Sequence, residues 1–122
     1  GYVTEAAEEA LAGVDLLLLE SNHDVTYLQT GPYPYPLKQR ILSDRGHLSN
    51  DAAAAFACRM AKTGTRQFVL VHLSKENNTP VCALHTVECA LRGGGFADVH
   101  LTVAPRGECS EAYIAEGLPC RK

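Results

Sequence analysis

Apolar and polar positions fall along this chain in blocks that predict helix and strand in alternation. Thr4 stands before Glu5-Ala6-Ala7-Glu8-Glu9-Ala10-Leu11, good helix formers with acids in the first turn and a stop at Gly13. That order predicts an N-capped helix. Asp15-Leu16-Leu17-Leu18-Leu19-Glu20 is a short apolar run between Gly13 and a polar cluster. Its composition also suits a helix, but its length and flanks predict a strand buried on both faces. Thr30-Gly31-Pro32-Tyr33-Pro34-Tyr35-Pro36 alternates three prolines, which predicts an extended or turning connector, with a stacking wall of ring side chains as the alternative. Residues 37–42 read as a short helical turn. Ser49 or Asn50 then caps a helix over 51–62 that ends at Gly64. Gln67–Val71 is the next strand, Thr79-Pro80 opens a helix to about residue 91, and 99–104 alternates as a last strand before a tail rich in Gly, Pro and Cys.

The resulting order, α-β-α-β-α-β, belongs to the α/β class, in which parallel strands are covered by helices. At 122 residues the chain is one domain or part of one, able by size to bury about two thirds of its unfolded surface. Three strands normally belong to a larger sheet, and a helix begins almost at the first residue, so a fragment or a chain completed by a partner is expected.

Composition narrows the class further. No apolar run approaches the roughly 20 residues of a membrane helix, and the first residues carry no basic stretch followed by an apolar one, so neither a membrane span nor a signal peptide is expected. The five cysteines show no CxxC spacing; Cys58, Cys82 and Cys89 sit in helix-like apolar patterns and read as reduced core cysteines of a cytosolic protein rather than disulfides or a zinc site. The net charge of −3 is uneven. Residues 1–37 hold six acids and no Lys or Arg, whereas residues 38–92 hold eight basic side chains against four acids. A phosphate-bearing substrate is compatible with that excess, as is an ordinary solvated surface.

Three polar, histidine-bearing blocks punctuate the pattern. Glu20-Ser21-Asn22-His23-Asp24 and His72-Leu73-Ser74-Lys75-Glu76-Asn77-Asn78-Thr79-Pro80 follow predicted strands, and Ser43-Asp44-Arg45-Gly46-His47-Leu48-Ser49-Asn50 opens a helix between them. Loops at the carboxyl ends of parallel strands are where α/β folds gather ligand and catalytic groups, so the three blocks mark a site.

In order and spacing, these blocks, with the Leu16–Leu19 run before the first of them and the stretch from Thr30 through Ile41-Leu42, closely resemble the YycJ/WalJ-type branch of the metallo-β-lactamase superfamily. The resemblance covers the chain from Gly1 to about Ala104. It implies the C-terminal half of a four-layer αββα sandwich over residues 1–122. It also implies a cytoplasmic metal-dependent hydrolase related to nucleases and phosphodiesterases. The superfamily's His-x-His-x-Asp-His cluster, a further histidine and a bridging aspartate are not among these residues; in the family that aspartate lies in a turn whose last two residues match Gly1-Tyr2. The resemblance therefore implies two divalent ions, zinc or manganese, in a full-length protein and none held by this part alone.

Residue by residue, the resemblance makes His72 a metal ligand, as suits a neutral imidazole toward zinc or manganese. It makes His47 the histidine facing the phosphate, as general acid or as a charge on the transition state, and Glu20 its orienting carboxylate. The bland readings are a hydrogen-bonded strand-end histidine for His72 and a helix N-terminal one for His47. Asn22, His23, Ser49, Lys75 and Asn77 are candidate substrate contacts, with loop and capping hydrogen bonds as the alternative. Asp24 reads as a brace for His23, Arg40 and Arg45 as further phosphate contacts, and His85 and His100 as structural.

The expected function is phosphodiester hydrolysis, foremost that of a DNA exonuclease, on nucleic acid. The alternatives are a small cyclic or RNA phosphodiesterase on the same fold and a non-catalytic fragment that works only through assembly with the missing half or with another copy.

Overall fold

The computed structural model describes residues 3–32, 34–42 and 46–104, the side chains of 40–42 excepted, and the backbone of a short antiparallel pairing of Tyr113–Ile114 with Cys120–Arg121. The elements in chain order are α1 (Glu5–Leu11), β1 (Leu16–Glu20), α2 (Val25–Thr30), α3 (Tyr35–Leu42), α4 (Asn50–Lys62), β2 (Gln67–Val71), α5 (Pro80–Gly93), β3 (His100–Val103) and the pair β4 and β5 just given. Strands β1, β2 and β3 form a parallel sheet in that order, with Leu17 opposite Phe68 opposite Leu101, and Leu19 opposite Leu70 opposite Val103. The chain is thus α/β with a small parallel sheet.

That register puts Leu17, Leu19, Phe68 and Leu70 on one face, together with the half-buried Leu101 and Val103. Helix α4 meets this face with Ala53, Phe56, Ala57, Met60 and Ala61, spaced three and four apart so that they form one stripe. The alanines let the helix backbone come close while Phe56 and Met60 fill the remaining volume. Helix α5 adds Ala83, Val87 and Leu91, one per turn, and packs on both α4 and β3.

The capping signals work as the sequence indicates. Thr4, Ser49 and Thr79 each accept a backbone N–H from the first turn of α1, α4 and α5, those of Ala7, Ala52 and Cys82. Gly13 follows α1 with φ of +81°, a conformation that disfavours any Cβ, and its N–H donates to Thr63 Oγ1 at 2.9 Å.

Two expectations need correction. The run 30–36 is not a connector throughout: Thr30 closes α2, which Asp24 caps by accepting the Tyr27 N–H, and Tyr35 and Pro36 open α3. Proline is tolerated there because a first-turn N–H has no intrahelical partner to lose. The strand β1 is not buried on both faces, since Leu17 and Leu19 are buried whereas Leu18, on the opposite face, is 63% exposed. Its position at one end of the described sheet leaves that face open. Central β2 does bury three successive residues, Phe68, Val69 and Leu70. The cysteines also divide: Cys58 and Cys82 are half-buried, but Cys89 is exposed on α5 beside the exposed His85. His100 likewise lies exposed at the start of β3. No helix among the described residues is long and apolar enough to cross a membrane.

The α4 stripe supports a direct test. Phe56→Ala should lower unfolding stability by about 3–5 kcal/mol in urea titration, the range for a large buried ring whose site cannot collapse. A loss below about 1 kcal/mol would mean that α4 does not seat on this sheet face as described.

Candidate active site

Parallel pairing of β1 with β2 brings both carboxyl ends to the same edge, so the loops that follow them meet. A third segment, Gly46 to Ser49, joins through backbone bonds. The Asn22 N–H donates to the Leu48 carbonyl at 2.9 Å and the Asn50 N–H to the His23 carbonyl at 2.8 Å, making a short parallel bridge between His23 and Ser49. The loop after β2 is tied in by the Ser74 N–H to the Asn22 carbonyl at 2.7 Å and the Asp24 N–H to the Asn77 carbonyl at 2.8 Å.

Glu20, the last residue of β1, is the focus of this edge. Its Oε2 accepts from His47 Nδ1 at 2.8 Å and its Oε1 from the Leu48 N–H at 2.9 Å. His72 Nδ1 lies 3.8 Å from the same Oε2. The three residues singled out as catalytic or metal-binding thus converge on one carboxylate. The side chains of His47 and His72 are 56% and 77% exposed, so both imidazoles are open to a ligand. His47 directs Nδ1 at the Glu20 carboxylate, an acceptor, so Nε2 is the ring nitrogen turned away from Glu20.

His72 has φ of +57°, the sole positive value among the described non-glycine residues. Left-handed backbone at such a residue costs of order 1 kcal/mol and persists where its surroundings enforce it. Here Asn22 Nδ2 holds the His72 carbonyl at 2.8 Å while the Asn22 carbonyl takes the Ser74 N–H, so one residue clamps the turn from both sides. Asn22 therefore shapes the loop that carries His72.

The other candidate contacts are distributed differently. Lys75 is exposed on the loop after β2, and Ser49 caps α4 with its hydroxyl. His23 and Asn77 are 2% and 1% exposed, so in this arrangement neither offers a surface to a ligand; both join loops together. The His23 ring meets Asn22 Oδ1 at 3.3 Å, and burial, the largest cause, pushes its pKa below the usual histidine value, with the charge of His47 acting in the same direction and Glu20 and Asp24 opposing it. Asp24 is not the brace of His23: it caps α2 through Oδ1 and accepts the Cys82 thiol through Oδ2 at 3.4 Å. Burial and then this carboxylate push the Cys82 thiol up. Arg45 lies outside the described residues, as do the Arg40 side chain, Gly1-Tyr2 and most of the Cys-containing tail.

Behind the exposed groups lies a buried polar cluster that the sequence reading did not identify as such. Asn50 and Asn78 exchange carboxamide hydrogen bonds, both at 2.9 Å. Ser21 Oγ donates to Asn50 Oδ1 at 2.6 Å, and Asn78 Nδ2 also donates to the Ser21 carbonyl. The one signal in the sequence was an Asn-Asn pair directly before a Thr-Pro helix start, which reads equally well as a polar loop.

Among the described residues no three His, Cys, Asp or Glu side chains are grouped to hold a metal ion. His72 offers one imidazole, and Glu20 is engaged by His47 and Leu48.

No protein-family model matches the chain. It is 38% identical over 96 residues to exodeoxyribonuclease YycJ of Bacillus anthracis, a match covering 79% of this chain and 36% of the relative. It is 47% identical over 78 residues to exodeoxyribonuclease WalJ of Streptococcus pneumoniae serotype 2, covering 64% of this chain and 29% of that protein. The chain therefore spans about a third of the length of the curated relatives it matches. These similarities support kinship with proteins named as exodeoxyribonucleases.

The state of His23 predicts a pH response. Its lowered folded value means that the fold holds the neutral ring, so stability is lost as pH falls through the unfolded value of about 6.5 toward the lower folded one. Melting temperatures between about pH 7.5 and 5.5 should fall more steeply for the parent than for His23→Gln. Parallel curves would show that His23 does not carry the response.

Proposed function

We propose that this chain is the C-terminal part of a metal-dependent phosphodiester hydrolase of the YycJ/WalJ exodeoxyribonuclease type, built on a metallo-β-lactamase-like αββα sandwich and acting on DNA in the cytoplasm. The observation that carries this reading is the convergence of His47 and His72 on Glu20 at the end of two parallel strands. Two open imidazoles flanking one carboxylate suit a phosphodiester: one nitrogen donor toward a metal, one proton donor toward an oxygen that leaves. Kinship with proteins named exodeoxyribonucleases supports the same substrate class.

In this reading His47 Nε2 faces the reacting phosphate and gives a proton or a positive charge to the leaving oxygen. Glu20 holds the ring by Nδ1. His72 contributes one ligand to metal ions whose remaining ligands come from the rest of the full-length protein. Lys75 lies exposed on the same loop and is assigned to a phosphate further along the substrate. His23, Asn22, Ser49 and Asn77 support the loops.

Turnover and bound metal in a full-length protein test the division of roles. His47→Ala should lower turnover roughly 10²- to 10⁴-fold, the range for a positioned general acid, with metal content unchanged. Glu20→Gln should cost less and shift a limb of the pH–rate profile, and the double variant should fall little below His47→Ala, because groups acting as one unit are not additive. His72→Ala should lose metal, and the purified 122-residue chain should hold well under one ion. Loss of metal from His47→Ala would make His47 a ligand and overturn the assignment.

The face of β1 that carries Leu18 leads to a second expectation. Exposed apolar patches larger than a few hundred Å² are uncommon on soluble monomers. The proposal is that the rest of the protein, or another copy of this chain, covers that face. Light scattering of the 122-residue chain should show association, and Leu18→Lys should weaken it. A compact monomer at high concentration that binds no apolar dye would count against the idea.

A further inference from the structure

Next to the half-buried Glu20, which holds the exposed His47, begins a set of fully buried polar side chains. Asn50 begins α4 three residues after His47, and Asn78 precedes the cap of α5. Their side chains are buried and form a reciprocal amide pair, each donating to and accepting from the other at 2.9 Å. The pair is closed at its margins. Asn50 Oδ1 takes the Ser21 hydroxyl at 2.6 Å, Asn78 Nδ2 reaches the Ser21 carbonyl at 2.9 Å, and Asn78 Oδ1 takes the Thr79 N–H at 2.9 Å. Three segments 28 and 57 residues apart in sequence are thereby locked at one point, directly behind Glu20.

We infer that Asn50, Asn78 and Ser21 are positioning residues that set the His47 imidazole against Glu20. The path is short and continuous. Ser21 follows Glu20 in the chain, so fixing Ser21 fixes where the Glu20 carboxylate leaves β1. Asn50 fixes the start of α4, and its N–H to the His23 carbonyl draws residues 47–49 alongside residues 21–23. A carboxamide is required at both positions because each must donate and accept in one plane, which neither a hydroxyl nor a carboxylate does. Removal of one member strands the other's buried donor and acceptor, and the loops then relax to satisfy them. A shift of about 1 Å in a catalytic group is enough to lower turnover by up to about a hundredfold.

This inference rests on the proposed hydrolase reading in its activity arm alone. In the full-length protein, Asn78→Ala and Ser21→Ala should each lower turnover about tenfold or more on a DNA end, with KM held within about twofold. Ser21→Ala loses a single hydroxyl and serves if Asn78→Ala does not fold. Combined with His47→Ala, either substitution should change turnover by less than about twofold, because the residue that it positions is gone. An equal loss on both backgrounds, or no loss on either, would overturn the inference and leave a general structural role.

If the full-length protein cleaves no DNA, the hydrolase reading fails while the positioning claim is still read by nitrogen-15 spectra of the histidine rings. The parent should show His47 protonated at Nδ1 and hydrogen-bonded to Glu20, and Ser21→Ala should lose that signature while the remaining rings keep theirs. Retention of the His47 signature in Ser21→Ala would overturn the claim.

Discussion

Everything at the candidate site depends on burying two carboxamides without leaving any of their polar atoms unpaired. An amide that loses its partner inside a protein forfeits about 1–3 kcal/mol, roughly twice what the satisfied bond gains. Asn50 and Asn78 avoid that loss by facing each other, and Ser21, the Thr79 N–H and the Cys82 sulfur, which accepts from Asn50 Nδ2 at 3.8 Å, take up further capacity. Loops are ordinarily the mobile part of an α/β fold. Here three of them share one satisfied polar core and a set of backbone bonds, so they behave as an extension of the sheet edge rather than as independent connections.

On that base, electrostatics does the selecting. Glu20 is the sole carboxylate described as in contact with His47 and His72, and it uses both oxygens on the segment that begins with His47. The two imidazoles are unequal. His47 is held in hydrogen-bond contact at 2.8 Å, whereas His72 stands at 3.8 Å on a backbone conformation enforced by Asn22. A tightly oriented ring suits proton delivery, and an exposed one on a strained, clamped turn suits a fixed donor to something that arrives from outside. The third histidine, His23, is buried as part of the scaffold, and burial, the largest cause, pushes its pKa below the usual histidine value.

The sheet tells the same story at larger scale. Helices α4 and α5 cover one face with a stripe of small residues and two large side chains, and the other face of β1 presents Leu18 to solvent. One layer of helix on one layer of sheet accounts for the main core cluster, while Val69, in register with Leu18 on the other face, and Leu28 of α2 are buried outside it. The proposed second layer accounts for why an outward strand position should be leucine, since an exposed β1 face alone would favour a polar residue there.

The sequence by itself determined the local elements whose signals are local. The caps at Thr4, Ser49 and Thr79, the stop at Gly13 and the strand Gln67–Val71 all follow from residues within a turn of one another. Three polar blocks, two after predicted strands and one opening a helix, also marked the loops that carry Glu20, His47 and His72, while the role expected of each came from the family resemblance. The sequence could not decide which face of β1 is covered, because Leu16 to Leu19 carry no alternation and burial depends on what packs against them. It indicated the helical turn over 37–42 but not α2 or the start of α3 at Tyr35 and Pro36, since Asp24 and Pro36 support a helix start or a turn equally well. The division of labour among Asn22, His23, Asn50, Asn77 and Asn78 was decided by tertiary structure alone. A polar side chain in a loop has the same letter whether it faces water or closes a buried amide pair, and its partner here lies 28 residues away. Only the parallel pairing of β1 with β2 brings those partners within hydrogen-bond reach.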